Sequence, residues 1–385
     1  MNRILLAALL FAVSIVGLSL GATLPLVSLR LLENGASAVQ IGVLAACPAA
    51  GMILSALLVD PLCRYLSRRR QYLGCFVLCA VASAAIEPAS AALGWLAVVR
   101  LALGVGMGVA IILGEAWVNE LCDEAHRGKV VALYATSFTA FQLLGPTLVG
   151  LLGAQTPWVV VLVTAGHLVA LLTVALTLPE ESPQAHDEAP RNFSLAGFLR
   201  VAPALSMGIL FFAFFDSVVL SLFPVYASAH GYAVGIAAFM ATVILLGDML
   251  FQLPLGWLSD RLHRPSLHLA CGSLALLIGL ALPWLIQRPD ALWPALMLLG
   301  AVAGGVYTLA LVLIGQRFRG RDLVTANAAA GMLWGVGSLV GPLLSGSLMN
   351  LGPHGLPLSL SLAAALFVVT AASTVGKARR ACGRT

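Results

Sequence analysis

Long apolar stretches alternate with short polar ones along almost the whole chain. Twelve stretches contain few charged side chains, and each has roughly the number of residues that a helix needs to cross the hydrocarbon core of a bilayer. They lie at roughly 4–29, 38–59, 72–92, 95–118, 130–152, 158–178, 201–227, 235–258, 267–286, 292–315, 324–348 and 357–376. The pattern predicts twelve transmembrane helices, because only helices and closed barrels satisfy every backbone polar group in lipid.

One long polar stretch, 179–200, divides the twelve apolar stretches into six and six. Its prolines and acidic residues are typical of a linker. We therefore predict an all-α membrane protein of two six-helix bundles. The predicted domains are an N-terminal bundle at 1–178, a cytoplasmic linker at 179–200, a C-terminal bundle at 201–376 and a cytoplasmic tail at 377–385.

Composition and charge support a protein whose partner is the lipid bilayer. Hydrophobic residues make up 60% of the chain and charged residues only 10%, with a mean hydropathy of +1.00, which excludes a soluble globular protein. The net charge is +5. If the N-terminus is cytosolic, eighteen basic residues lie in inner loops and tails, against two, Arg30 and Arg288, in outer loops. This asymmetry predicts a multi-pass inner-membrane protein with both termini in the cytoplasm, and it argues against nucleic-acid binding.

Several positions recur after about 200 residues, which indicates two structurally similar halves. The matching pairs are Pro25 with Pro224, Gly104 with Gly304, and Pro146 with Pro342. Prolines also lie deep in predicted spans, where neighbours must satisfy the carbonyl groups that each proline leaves free; these are Pro48, Pro146, Pro224 and Pro342.

The stretch Gly256-Trp257-Leu258-Ser259-Asp260-Arg261-Leu262-His263-Arg264 fits the pattern G-x-x-x-D-R-x-x-R, and residues 56–64 repeat it with Ala56 and Pro61 as departures. This pattern resembles the loop motif of the major facilitator superfamily. The resemblance implies a secondary transporter with a cavity between two bundles, lined by spans 1, 4, 7 and 10, that works by alternating access. It also implies inner-side gate residues, which here are Asp60, Arg64, Gly256, Asp260, Arg261 and Arg264.

Ionisable side chains inside predicted spans are costly and therefore mark candidate functional sites. The candidates for proton or substrate binding are Arg100, Glu115, Asp216 and Asp248. Asp216 and Asp248 lie near the middle of their spans, where a carboxyl group that exchanges a proton would serve proton coupling. The alternative is a structural hydrogen bond, for example between Asp248 and Gln252. His167 is predicted to be a hydrogen-bonded histidine without a transport role.

Arg100 and Gly104 form an R-x-x-x-G element that resembles the fourth span of the superfamily, which implies that the arginine faces the cavity. Glu115 lies ~22 Å further along the same helix, so we expect another acid or a bound anion to pair with Arg100. The run Glu115–Glu120, followed by Arg127-Gly128-Lys129 and Tyr134, resembles the E-S-W-x-N-E…R-G-R…Y stretch of the YcaD-like branch of the superfamily.

Motifs of other protein classes are missing from the sequence. It contains neither G-x-x-x-x-G-K-[ST] nor H-E-x-x-H, and its seven cysteines suggest no disulfide framework. We therefore predict a monomeric, non-enzymatic transporter of a small molecule, with protons as coupling ions and with no cofactor or metal. Three acids against one arginine in the spans favour a cationic or amphipathic solute. The alternative is a channel or a membrane sensor on the same scaffold.

Overall fold

The computed structural model describes residues 3–63, 65–89, 92–121, 127–179, 195–318 and 321–382. Helices account for nearly all of these residues, and no strand occurs among them. The helices are α1 (Arg3–Glu33), α2 (Ala38–Cys63), α3 (Arg68–Ala89), α4 (Leu93–Leu121), α5 (Arg127–Leu152), α6 (Trp158–Thr177), α7 (Leu195–Val201), α8 (Pro203–Ser221), α9 (Phe223–Ala229), α10 (Val234–Arg261), α11 (Arg264–Leu285), α12 (Pro289–Arg317), α13 (Arg321–Leu351) and α14 (Gly355–Cys382).

Twelve of these helices are long and apolar enough to cross a membrane, which confirms the predicted fold class. The seventh predicted span, 201–227, differs in being divided at Leu222 into α8 and α9. Pro224, at the start of α9, has no N–H group to continue the hydrogen bonding of α8. The last helix is also longer than predicted, since α14 continues into the expected tail at 377–385.

The chain divides into two compact units. Unit 1 comprises Met1–Gly35, Leu44–Glu188 and Val234–Phe239, and unit 2 comprises Ala36–Val43, Ala189–Ala233 and Met240–Thr385. The first residues of α2 therefore belong to unit 2 and the rest of that helix to unit 1, whereas α10 is divided the other way round. Because α2 and α10 are divided in this way, the simple domain limits at 1–178 and 201–376 remain a prediction.

Within unit 1, α2 and α4 approach each other through glycines. A Cβ atom at Gly104 would collide with the main chain of Pro48, and one at Gly51 would collide with the carbonyl oxygen of Leu101. Small residues allow such backbone contact in a membrane protein, where apolar burial does not drive helix association.

Within unit 2, α10 and α12 use the same contacts. A Cβ atom at Gly300 would collide with the main chain of Ile244, and one at Gly247 would collide with the main chain of Met297. Each of these four residues lies 196 positions after its counterpart in unit 1. The two units therefore contain the same helix pair, as the sequence repeat predicts.

The matching of Gly104 with Gly304 in the sequence is wrong by one helical turn. The packing pairs Gly104 with Gly300, because both meet the equivalent residue of the neighbouring helix. The residue that corresponds to Arg100 is consequently Leu296. Gly300 and Gly304 are four residues apart and lie on the same helix face, so the sequence alone does not show which of them corresponds to Gly104.

Glycines also bring α1 and α5 into main-chain contact in unit 1. A Cβ atom at Gly21 would overlap the carbonyl group of Gln142, which Pro146 deprives of its usual N–H donor in α5. A Cβ atom at Gly145 would in turn overlap the main chain of Gly21. Neither clash can be relieved by rotating a side chain.

We expect Gly21→Leu to destabilise the protein by about 3 kcal/mol or more, because main-chain atoms must move to admit the new side chain. The measurement is thermal unfolding of the purified protein, with size-exclusion elution as a test of folding. Gly74→Leu in α3 is the matched control, since nothing lies within 4 Å of its Cβ position. Equal melting temperatures for the two variants would contradict this account of the α1–α5 contact.

Candidate functional site

Arg100 is completely buried in unit 1. Its Nε donates to the carbonyl oxygen of Leu44 in α2 at 2.7 Å, and its Nη1 donates to that of Thr23 in α1 at 3.0 Å. Two nitrogens of Arg100 thus donate to main-chain carbonyl groups, whereas the sequence led us to expect an acid or an anion as partner. Nη2, which carries two N–H groups, has no hydrogen-bond partner among the described residues.

Glu115 lies in the same helix but at a different place. It is exposed on the surface of unit 1, and its separation of fifteen positions from Arg100 corresponds to ~22 Å of helix. The structure therefore does not bring Glu115 and Arg100 together. Glu115 instead neighbours a buried group of tyrosines around Gly114.

Two buried tyrosine hydroxyls converge on Gly114. The Oη atoms of Tyr134 and Tyr72 lie 2.6 Å and 3.0 Å from the position that a Cβ of Gly114 would take. Neither hydroxyl has a hydrogen-bond partner in the described part of the chain. Tyr72 also packs edge-on against Trp117, with ring centroids 5.4 Å apart. Two residues of the YcaD-like pattern, Trp117 and Tyr134, thus both lie beside Tyr72.

Sequence reasoning did not identify Tyr72 as a member of this group. Tyr72 begins a predicted span as an ordinary aromatic residue, and nothing in the pattern distinguishes it from a core side chain. Its position became evident only from the contacts of α3 with α4.

Asp216 is buried in α8, with 5% of its surface exposed. It lies one helical turn after Phe212, whose ring stacks on Tyr307 of α12 with centroids 4.8 Å apart. Residues four apart share a helix face, so Asp216 lies on the face of α8 that carries Phe212. The structure thus places this predicted site residue inside unit 2.

Asp248 is buried to the same degree in α10. Its Oδ1 accepts a hydrogen bond from Nε2 of Gln252 at 3.3 Å, the contact that the structural alternative had suggested. Oδ1 also lies where a Cβ atom of Gly304 in α12 would be. The carboxyl group therefore fits against α12 only because residue 304 has no side chain.

Two buried histidines differ in their surroundings. His167 is confirmed as a hydrogen-bonded histidine, because its Nδ1 lies 3.2 Å from the hydroxyl oxygen of Ser83. His268 in α11 packs edge-on against Phe367, with centroids 4.7 Å apart, and its Nε2 has no partner within the described ranges. His268 was missed because it is the second residue of the predicted span 267–286, close to the polar end, where a histidine is not unusual.

The predicted gate residues are described in part. The guanidinium of Arg261 lies 3.8 Å from the ring centroid of Trp257, and Nε of Arg264 donates to the carbonyl oxygen of Ser259 at 3.0 Å. These contacts fix the turn between α10 and α11. Gly256 has nothing within 4 Å of its Cβ position. Residues outside the description are Arg64 as a whole and the side chains of Asp60 and Asp260.

The guanidinium of Arg30 joins three parts of unit 1. Nη2 of Arg30 in α1 lies 2.8 Å from Oε1 of Glu87 in α3. The same guanidinium donates to the carbonyl oxygens of Ala154 and Thr156, at 2.6 Å and 2.9 Å, in the turn between α5 and α6. Both members thus have a structural role at this end of the unit.

Comparison with known protein families gives a match over most of the chain. The model of the Major Facilitator Superfamily matches residues 9–245 and 205–380. The uncharacterized MFS-type transporter YfkF of Bacillus subtilis (strain 168) is 27% identical over 369 residues, which are 91% of this chain and 90% of that protein. The uncharacterized MFS-type transporter YcaD of Escherichia coli (strain K12 / DH10B) is 27% identical over 329 residues, 84% of each chain.

Solved structures show the same fold at low sequence identity. A bacterial homolog of the human lysosomal transporter Spinster, inward-facing and unoccupied, has a TM-score of 0.75 at 16% identity and covers 97% of this chain and 96% of its own. A D-xylose–proton symporter has a TM-score of 0.72 at 17% identity, covering 94% of this chain and 96% of its own. These similarities confirm the twelve-helix architecture and the resemblance to the YcaD-like branch.

Proposed function

Because the chain belongs to the major facilitator superfamily, we propose that this transporter moves a small solute across the cytoplasmic membrane by alternating access, coupled to protons. It is not an enzyme, and its helices make it a multi-pass membrane protein. The proposed arrangement has both termini in the cytoplasm and one copy of the chain as the working unit.

The observation that carries the proposal of proton coupling is the setting of Asp248. The carboxyl group is buried, and Gln252 gives it the only hydrogen bond recorded within the described residues. An ionised carboxylate inside a membrane protein is costly unless a cation neutralises it. Binding of a proton or a cationic solute removes that cost, which is the property that a coupling site requires. Asp216, buried in the same unit, is proposed as the second proton or cation site.

Arg100 of unit 1 is a further candidate for solute binding. Nη2 of Arg100 can donate to an acceptor atom, while the neighbouring carbonyls of Leu44 and Thr23 hold the guanidinium in place. The three acids Glu115, Asp216 and Asp248 favour a solute with positive charge. We therefore propose a cationic or amphipathic solute that also carries a hydrogen-bond acceptor.

Residues 256–264, with their repeat at 56–64, are proposed to form the inner gate. The support is the motif together with the fixed turn made by Arg261 and Arg264. In this proposal, Asp60 and Asp260 hold the gate closed by contacts with helix N-termini. A carboxylate at the end of its own helix is poorly placed with respect to the helix dipole, and so needs such a partner.

Solute uptake into proteoliposomes tests the proposed function. Candidate ligands are first found by thermal shift, since a ligand at 100 times its Kd stabilises a protein by ~2.7 kcal/mol. We expect saturable accumulation above equilibrium when a proton gradient is imposed, and its loss when a protonophore is added. Flux that rises linearly with solute concentration would instead indicate a channel. Ligand binding without any flux would indicate a sensor.

The proposed orientation predicts the activity of reporter fusions. A reporter active only in the cytoplasm should work after Arg70, Pro190 or Arg384, because the basic residues concentrate in these segments. It should fail after Asn34 or Pro289. An active fusion at Asn34 would contradict the proposed orientation.

A further inference from the structure

Pro48 interrupts the hydrogen bonding of α2. Proline has no N–H group, so the carbonyl group of Leu44, four residues earlier, loses the donor that an unbroken helix would supply. Inside a membrane no bulk water is present to replace that donor, and a neighbouring residue must supply one.

Arg100 supplies a donor to this carbonyl group. Its Nε lies 2.7 Å from the oxygen of Leu44, and the whole side chain is excluded from solvent. One turn along α4, Gly104 lets the main chain of α4 lie against Pro48 itself. Both residues of the R-x-x-x-G element of α4 therefore contact the interrupted part of α2. Arg100 donates to the carbonyl group that Pro48 leaves free, and Gly104 packs against the main chain of Pro48.

Unit 2 shows the same helix pair without the proline. Ile244 occupies the place of Pro48 and packs against Gly300, which corresponds to Gly104. Isoleucine keeps its N–H group, so the carbonyl group of Met240 retains a helix donor. Leu296 stands at the position of Arg100. Proline and arginine occur together in one unit, and both are replaced by apolar residues in the other.

The hydrogen bonding of α2 is interrupted close to the boundary between the two units in that helix. Residues 36–43 belong to unit 2, and unit 1 resumes at Leu44, the residue whose carbonyl group Arg100 binds. In α10, the corresponding change falls between Phe239 and Met240. The two helices thus change units at equivalent positions, but only α2 has a proline one turn further on.

We propose that Arg100 is a positioning residue whose guanidinium replaces the missing N–H group of Pro48 and stabilises a hinge in α2. The hinge is asymmetric, because the equivalent point of α10 keeps continuous helix hydrogen bonding. The contribution of the hinge to solute movement rests on the proposed function. The pairing of Arg100 with Pro48 does not depend on it.

A double-mutant cycle tests the pairing, with substitutions taken from unit 2. Arg100→Leu leaves the carbonyl group of Leu44 without a donor and should lower the unfolding midpoint strongly. In the Pro48→Ile background the new N–H group serves that carbonyl group, so the same change should be less damaging. The bond to Thr23 is lost in both backgrounds and cancels. We expect a coupling of about tenfold in the folding equilibrium constant, the usual effect of one buried unsatisfied group.

The outcomes are distinct. Additive effects of the two substitutions would overturn the pairing. If Arg100→Leu alone gives no folded protein, folding of the double variant supports the pairing, whereas failure of the double variant beside a folded Pro48→Ile protein overturns it. Pro48→Ile combined with Glu115→Gln is the matched control and should be additive, because Glu115 lies ~16 Å along α4 from Gly104, the residue that packs on Pro48.

Hydrogen exchange of the full-length protein gives a local readout. Amides of residues 38–55 should exchange faster in Arg100→Leu than in the unsubstituted protein and should regain protection in the double variant. Amides of residues 234–252 in α10 should not change. Equal acceleration in both segments would indicate general destabilisation and would overturn the positioning role.

A transport measurement separates the hinge from the pairing. Pro48→Ile alone restores continuous helix hydrogen bonding in α2 and keeps Arg100, and we expect its solute exchange to be at least tenfold slower than in the unsubstituted protein. Exchange at the original rate would overturn the hinge, whatever the thermodynamic cycle shows. Absence of transport by the unsubstituted protein would refute the proposed function, while the cycle would still decide the pairing.

Discussion

Substitution of Gly304 by alanine is expected to abolish proton-driven accumulation while the protein remains folded. A Cβ atom at residue 304 would occupy the place of Oδ1 of Asp248. The two nearest obstacles are the oxygen and the carboxyl carbon of a side chain, which can rotate away; Cβ of Asp248, at 3.1 Å, would need only a small shift. Rotation would break the hydrogen bond from Gln252 and move the carboxyl group out of its buried position. The coupling site would therefore be lost without loss of the fold.

The measurement is the ratio of internal to external solute in proteoliposomes under a fixed proton gradient. A gradient of 100 mV supplies ~2.3 kcal/mol per charge, or about fifty-fold accumulation, and Gly304→Ala should reduce this ratio to about one. Two glycines of α12 serve as controls. Gly315→Ala should have no effect, because nothing lies within 4 Å of its Cβ position. Gly300→Ala should impair folding, because its Cβ would meet the main chain of Ile244.

Accumulation by Gly304→Ala at the original level would show that Asp248 need not stay against α12. The role of Asp248 in coupling would then have to be abandoned. A variant that accumulates nothing and also elutes as an aggregate would place Gly304 with Gly300, as a packing residue.

The transmembrane architecture was predictable because lipid restricts the backbone so strongly. A stretch of ~20 apolar residues in a membrane has few alternatives to a helix, and the twelve predicted spans correspond to twelve candidate membrane helices. The break at Leu222 was less predictable. Pro224 signals an interruption, but Pro48 and Pro146 lie inside helices that continue. Whether a proline ends a helix depends on neighbours that the local sequence does not specify.

The burial of two candidate residues was predictable, but their contacts were not. Intramembrane charge identified Arg100 and Asp248, and both are buried. The partner of Arg100 was expected among acids or anions because a charge usually requires an opposite charge. Main-chain carbonyl groups accept the hydrogen bonds instead. The sequence around residue 100 does not indicate that a proline in another helix leaves a carbonyl group without its donor. Only the packing of α2 on α4 reveals it.

Asp216→Asn is expected to abolish proton-driven accumulation and to leave the protein folded and inserted in the membrane. Asparagine keeps the shape of the side chain and its acceptor oxygen, so a structural hydrogen bond at this position should largely persist. It cannot bind or release a proton in the working range. Asp216 is buried on the face of α8 that carries Phe212. Because asparagine has nearly the same size and shape, the packing around this position should persist.

Asp248→Asn is the matched comparison, because it also retains an oxygen that can accept from Gln252. The same assay, with thermal unfolding as the test of folding, distinguishes the two acids. If Asp216→Asn accumulates solute fully and Asp248→Asn does not, the coupling site lies in α10 alone. If both variants accumulate about fifty-fold at 100 mV, as expected for the unsubstituted protein, proton coupling through unit 2 is refuted. If both fail while counterflow of solute without a gradient continues, the two carboxyl groups act in coupling and not in solute binding, because exchange needs the binding site but no net proton movement.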